Sequence, residues 1–361
     1  MQTVIIHGIH TLNVGDDLFF HIVRNRYPNV RFVMVASDAY KRTFGERWDG
    51  IIVTEKNFMS KVSSAIGKLF KIPSAAMLYA WLLVRYRVDL FMIVGGSLFM
   101  EGKSRMPSFI SGISKMRKLR PKLKITIIGS NFGPCYTEHW KEVVGSTLKK
   151  VDDICFRDEA SFNEFSYLPN VRWANDIVMH LKPLFGVQKE RAVCVNIRSV
   201  DNWPSLKPYK EQYLNMVKEF IYSFQCKGYS IKLISFCKEY GDNEITFSLY
   251  DMLENKESVE IYYYDGDLDK TLDLISRSEF MIGTRFHAIV LGLIYNLKVL
   301  PISYSVKTEN MLKSYNLWKE SFDFGKFCSS DFQSLYDSFI DGFRIDGQRN
   351  KMFSYTDVLL N

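Results

Sequence analysis

Short runs rich in β-branched residues alternate with longer amphipathic stretches along almost the whole chain, and no other feature restricts its fold as much. Strands separated by a helical stretch pair in parallel through crossover helices, which cover both faces of the sheet. In the first half the strand-like runs are TVIIHGI (3–9), RFVMVAS (31–37), GIIVTE (50–55), DLFMIVGG (89–96), KITIIGS (124–130) and DICFRDE (153–159), with helical patterns near 15–26, 59–86, 104–119 and 137–150. After VRWANDIVMHLKPLFGV (171–187) the rhythm restarts. AVCVNIRS (192–199), SIKLISF (230–236), VEIYYY (259–264), EFMIGT (279–284) and KVLPISY (298–304) alternate with helical patterns near 208–227, 242–255, 267–277 and 287–296. A chain of 361 residues, 47% apolar, is too long for one core and long enough for two. The expectation is an α/β protein of two Rossmann-like doubly wound domains facing across a cleft, over 1–187 and 188–330, the second opening on the polar linker QKER (188–191) and followed by a helical tail over 331–361.

Several function classes drop out. The opening MQTVIIHGIH lacks the basic segment and cleavage site of a leader peptide and reads as a strand, which points to the cytoplasm. The longest apolar stretch, 74–84, has 11 residues, against about 20 needed to cross a bilayer. It reads as a buried helix; the rival reading is an interfacial helix flanked by Lys68, Lys71, Arg85 and Arg87, which implies peripheral contact with the inner membrane surface. The six cysteines lie apart with no C-x-x-C pair and read as reduced, buried residues rather than metal ligands. A net charge of +7 favours anionic substrates, but no aromatic-interleaved basic array or zinc-finger spacing points to nucleic acid. Six basic residues within KMRKLRPKLK (115–124) form either a solvated surface or a contact for anionic lipid or a lipid-linked sugar phosphate.

Ligands of open parallel sheets sit beyond the carboxyl ends of the strands, so the residues there carry the functional information. In GTRFHA, Thr284, Arg285 and His287 close one strand and open a helix. While the chain is still extended, Arg285 and His287 point the same way and Phe286 turns into the core, giving one site a fixed cation and a titratable base. The plainer alternative is a helix-capping His287 beside a surface Arg285. ISYSVKTENM places Tyr304 and Lys307 around the next turn, and VCVNIRS ends on Asn196 and Arg198. Three cations on three strand ends of one sheet would converge on an anion such as a phosphate. In the first half, HTLNVGDDL puts Asn13, Gly15 and Asp16 in the turn after the first strand, and Gly95 with Gly96 follow DLFMIV, where they allow either close approach of a ligand or helix packing. Neither G-x-G-x-x-G nor G-x-x-x-x-G-K-[ST] is present, which disfavours a dinucleotide enzyme. Arg157, Asp158 and Asp176 also lie at strand ends and read as architectural. Trp173 and Trp203 suit either sugar stacking or core packing.

Taken in order, HTLNVGDDL, DLFMIVGGSLF, ICFRDEAS, VRWANDIVM, VNIRS, GTRFHAIVLGL and ISYSVKTENML resemble the polysaccharide pyruvyl transferase family over roughly residues 5–315. The resemblance implies two domains arranged as in B-type glycosyltransferases, phosphoenolpyruvate as co-substrate, and no metal or other cofactor. It implies that Arg285 and His287 match the family's donor-site arginine and histidine, and Arg198 the arginine of its second-domain first strand. The acceptor would lie in the first domain, nearest Asn13, Gly15, Asp16, Gly95 and Gly96. It would be a sugar of a bacterial surface polysaccharide or its lipid-linked precursor. On this reading Arg285 and Lys307 hold the donor with Asn196, Thr284 and Tyr304, His287 takes the hydroxyl proton, and Arg198, or a water it orients, is the acid. The rival functions are a glycosyltransferase using a nucleotide sugar and a non-catalytic sugar-binding component of an assembly complex.

Overall fold

In the computed structural model, which describes residues 1–54, 74–118, 120–182, 187–342 and 351–360, every pairing between named strands is parallel. Contacts divide the chain into two units, one of Met1–His10, Leu18–His180 and Gly347–Asn361, the other of Thr11–Asp17 and Leu181–Asp346.

The first unit is built on a seven-stranded sheet in the order β3-β2-β1-β4-β5-β6-β7. Its strands are β1 (Thr3–His7), β2 (Arg31–Ala36), β3 (Ile51–Thr54), β4 (Leu90–Val94), β5 (Lys124–Ser130), β6 (Asp153–Phe156) and β7 (Val171–Trp173). Its helices are α1 (Val14–Arg26, whose first turn groups with the other unit), α2 (Asp38–Phe44), α3 (Ser74–Arg85), α4 (Met106–Lys115), α5 (Glu138–Leu148) and α6 (Glu159–Phe165). The second unit carries a five-stranded sheet in the order β10-β9-β8-β11-β12. Here the strands are β8 (Ala192–Asn196), β9 (Ser230–Ser235), β10 (Val259–Tyr263), β11 (Phe280–Gly283) and β12 (Lys298–Pro301), and the helices are α7 (Lys210–Cys226), α8 (Asp242–Asp251), α9 (Leu268–Ser276), α10 (Phe286–Ile294), α11 (Val306–Ser314), α12 (Phe324–Ser329) and α13 (Phe332–Tyr336). Helix α14 (Ser354–Leu360) closes the chain.

Central strands are buried on both faces, so β4 (LFMIV) and β8 (AVCVN, up to its terminal Asn196) read as apolar runs rather than alternations. Ile5, Val33, Phe91, Ile93, Ile125 and Ile127 form a core with Leu82 and Leu83 of α3 and Ile110 and Ile113 of α4. The second sheet buries Val193, Ile231, Met281 and Val299 together with Phe220 and Phe224 of α7 and Leu291 of α10.

The expected strands are present; β5 ends at Ser130 as expected, while β1, β2, β4, β6 and β8–β12 end one to three residues earlier, at two of those ends because a side chain is recruited as a helix cap. DICFRDE stops at Phe156: Asp158 takes an extended conformation, accepts the Ser161 N–H at 2.8 Å and starts α6. Ser37 likewise caps α2 through the Tyr40 N–H, which makes a helix where none was expected. β7 is a further short strand, inside the segment read as leading out of the first half. Of the helix expected over 59–86, residues 59–73 lie outside the described residues, as does Glu55 of the strand expected over 50–55. The segment 331–361, expected as one tail, is divided. α13 lays Phe332 and Tyr336 on Phe220 of α7, with ring centroids 4.7 and 6.4 Å away. α14 joins the first unit, where the Tyr27 hydroxyl meets Thr356 Oγ1 at 2.7 Å and donates to Asp357 Oδ1 at 2.8 Å. No described helix is long and apolar enough to cross a membrane. Of the basic segment 115–124, Arg117 and Lys124 pair with Asp152, and Arg120 pairs with Asp89.

Candidate active site

Strand order reverses between β8 and β11, so crossovers leave to opposite sides and open a crevice at the carboxyl ends of these two strands. The residues that follow them build the site from the backbone outward. Thr284 N–H donates to the Asn196 carbonyl at 2.9 Å, locking the end of β11 to the end of β8. The Asn196 side chain completes the brace: its Nδ2 donates to the Ile234 carbonyl of β9 at 2.7 Å, and its Oδ1 accepts the Arg285 N–H at 3.3 Å. Thr284 Oγ1 lies 2.6 Å from the hydroxyl of Tyr213 on α7, which also accepts the Arg198 N–H at 3.3 Å. Asn196 and Thr284, expected at the donor, are therefore buried and engaged in holding three strand ends and α7 in place. A strand-end polar group in a packed sheet satisfies the backbone first.

Arg285 is also placed differently from expectation. It is the residue before α10, with φ −71° and ψ 135°, and the helix starts at Phe286, so His287 lies in the first turn rather than in extended chain. The Arg285 guanidinium turns to Asp242 at the start of α8, with Nε donating to Oδ2 at 2.8 Å and Nη2 to Oδ1 at 2.5 Å. Burial opposes its charge, but the Asp242 carboxylate outweighs this and holds the guanidinium above its ordinary pKa. The planar fork expected to grip the donor already grips a fully buried carboxylate of the protein. Asp242 escaped the sequence reading, although an acidic residue opening the helix after a strand of the same sheet was the available signal.

Arg198, Tyr304, Lys307 and His287 also follow the carboxyl ends of β8, β12 and β11. Arg198 Nη1 donates to the Tyr304 hydroxyl, and its guanidinium lies 4.9 Å from the Trp203 ring centre and 4.4 Å from that of Tyr304. Trp203 meets Tyr304 edge to face at 5.6 Å, so it clamps the arginine and the tyrosine together. Burial lowers the Arg198 pKa from its ordinary value, and the like charge of Arg285 adds to this. Lys307 stands in the first turn of α11 with Nζ 5.8 Å from the Phe286 ring. Burial pushes the Tyr304 pKa up, but Lys307, Arg198 and Arg285 outweigh it and bring the phenol down to about 8.

The loop expected at the acceptor packs here as well. Thr11–Asp17 belongs to this unit: Val14 N–H donates to the Phe236 carbonyl at 3.2 Å and the Tyr264 hydroxyl donates to Asp17 Oδ2 at 2.7 Å. Asn13 Oδ1 accepts the Gly15 N–H at 3.0 Å at the start of α1, so Gly15 and Asp16 lie in its first helical turn rather than in the loop where they were expected. A Cβ on Gly15 would fall 1.8 Å from His287 Nδ1 and 2.6–2.7 Å from the two ring carbons beside it, so the Nδ1 edge of the imidazole abuts this backbone where glycine leaves room for it. Asp16 is within electrostatic reach of Tyr240, whose ring lies 5.3 Å from the Arg285 guanidinium.

Gly95 and Gly96 sit in the other unit, after β4, and serve packing there. A Cβ on Gly96 would meet the Arg157 guanidinium at 2.9 Å, and one on Gly95 would meet Leu98 at 2.9 Å. Arg157 in turn pairs with Asp176 at 3.1 Å and donates to Asn131 at 2.5 Å, all buried. Trp173 packs on the first unit's core.

A family model described as polysaccharide pyruvyl transferase matches residues 13–306. No curated protein is a significant match. Among solved structures, a putative UDP-N-acetylglucosamine 2-epimerase from Listeria monocytogenes has a TM-score of 0.57 at 9% identity, over 93% of this chain and 88% of its own. The UDP-N-acetylglucosamine 2-epimerase from Rickettsia bellii has a TM-score of 0.54 at 10% identity, over 100% and 94%. That from Neisseria meningitidis, bound to UDP-GlcNAc, has a TM-score of 0.53 at 10% identity, over 99% and 98%. At such low identity these likenesses show the fold, two Rossmann-like α/β units of the B-type glycosyltransferase kind.

Proposed function

The chain belongs to the polysaccharide pyruvyl transferase family, and from that premise we propose that it moves a pyruvyl group from phosphoenolpyruvate onto two hydroxyls of one sugar, forming a cyclic ketal and releasing phosphate. One observation carries the reading: Arg198, Lys307, Tyr304 and His287 gather at the switch point of one sheet, where the carboxylate of Asp242 is already matched by Arg285. An excess of cations beside a histidine suits a small, multiply charged anion that must be attacked by a neutral hydroxyl.

The donor's phosphate and carboxylate are held by Arg198 and Lys307, and the N–H groups opening α10 add a positive dipole end. Arg285 acts through Asp242, fixing the turn that presents His287. His287, set in place by the Gly15 backbone, accepts the proton of the attacking hydroxyl. The tetrahedral adduct loses phosphate while the cations stabilise the departing charge, and the second hydroxyl closes the ring. The acceptor belongs to a surface polysaccharide or its lipid-linked precursor.

Purified protein incubated with phosphoenolpyruvate and a panel of free and lipid-linked galactosides and mannosides should release phosphate in step with product carrying one ketal-linked pyruvate. Stabilisation by a nucleotide sugar and none by phosphoenolpyruvate, with no phosphate released on any acceptor, would overturn the reading.

A further inference from the structure

Tyr304 stands apart from the other buried tyrosines. In Tyr27, Tyr213 and Tyr295 burial is the largest influence and pushes the phenol upward, even at Tyr27, where the charge of Arg26 opposes it. Tyr304 follows β12, and its hydroxyl accepts from Arg198 at the end of β8. The charged groups that face it are Arg198, Arg285 before α10 and Lys307 on α11; Asp242 of α8 lies behind Arg285 and is tied to it. Trp203 fixes the ring from its edge. The phenol is thus a proton donor whose conjugate base is stabilised in advance, at the anion-holding end of the crevice. Arg198 cannot fill that part, because a guanidinium keeps its proton at any working pH.

We propose that Tyr304 is the catalytic acid of this site and delivers its phenolic proton to the methylene carbon of the enol phosphate. This rests on the phosphoenolpyruvate reading above. The O–H bond of Tyr304 breaks and a C–H bond forms at C3, with the electron pair of the C2–C3 double bond. C2 becomes an oxocarbenium centre, to which the first sugar hydroxyl adds as its proton passes to His287. The phenolate is held meanwhile by Arg198 and Lys307. The bond from C2 to the phosphate oxygen then breaks, its electron pair leaving with phosphate, and the second hydroxyl adds at C2. Of the two hydroxyl protons, one restores Tyr304 and the other leaves on phosphate, so no oxidant, reductant or further reactant is needed.

The test compares the full chain with Tyr304→Phe, which keeps the ring against Trp203. Phosphoenolpyruvate should raise the melting temperature of both proteins alike, while turnover with acceptor falls about 10²–10⁴-fold in the variant. In the wild type kcat should fall on an alkaline limb near pH 8, and residual activity of the variant should lack that limb. If Tyr304→Phe fails to fold, 3,5-difluorotyrosine introduced at position 304 should move the limb to lower pH. Turnover of Tyr304→Phe within threefold of wild type, or a limb that the fluorinated ring does not move, overturns the assignment. A wild type that neither binds phosphoenolpyruvate nor releases phosphate sinks the donor reading and this step with it.

Discussion

Gly15 and His287 are 272 positions apart by their numbers and in direct contact, and the chemistry assigned to His287 depends on that contact. A methyl group on Gly15 has no room, so Gly15→Ala should displace the imidazole and lower kcat about 100-fold while the melting temperature holds, a split read by steady-state kinetics beside calorimetry. Asp242 answers to stability instead. Asp242→Asn leaves the Arg285 charge buried without its partner, and chemical denaturation should show a loss of about 3–5 kcal/mol. A loss under 1 kcal/mol would mean that Arg285 finds other partners. Of these residues, His287, Arg285, Arg198 and Lys307 were legible because a cation or a histidine at a strand end is visible in any register of the pattern. Asp242 and Tyr213 were not: an acidic residue opening a helix marks Asp242 only as a capping candidate, and nothing local tells the buried Tyr213 from an ordinary core residue.

At the scale of elements, caps decide where two of the strands stop. Asp158 and Ser37 each accept an N–H three residues on, so the strand-like runs before them give way to helices earlier than their apolar pattern suggests. Helix α14 shows a different limit. Phe353, just before it, is buried, with its ring centre 4.7 Å from that of His180 and 6.2 Å from that of Tyr27. Phe353→Ala should cost about 3–5 kcal/mol, measured by denaturant unfolding, and limited proteolysis should then cut first near the C-terminus. Short helices such as this have little periodicity of their own, and a docking surface some 330 residues upstream, from Tyr27 to Asp357, leaves no local mark.

For the molecule as a whole, burial sets a direction of pH dependence. Burial lowers His7 and His180 to about 4 and His10 to about 3, and the charge of His7 adds to the effect on His10. The folded state therefore keeps these rings neutral where the unfolded chain, with ordinary values near 6.5, takes up protons. Their contribution is intact above pH 6.5 and drains away as pH falls toward 4, by up to about 1.4 kcal/mol per pH unit for each ring. Urea unfolding at stepped pH should show this slope, and His7→Phe and His10→Phe should flatten it. The sequence by itself determined the class, the two sheets, their parallel strands and the cationic character of the strand ends, because periodicity and residue type act locally. Only the tertiary structure decided that the Thr11–Asp17 segment groups with the second sheet, that Arg285 is engaged by Asp242, and that Tyr304 lies among cations. Each of those depends on which distant side chain first satisfies a buried polar group, and the cost of leaving such a group unsatisfied is settled in three dimensions.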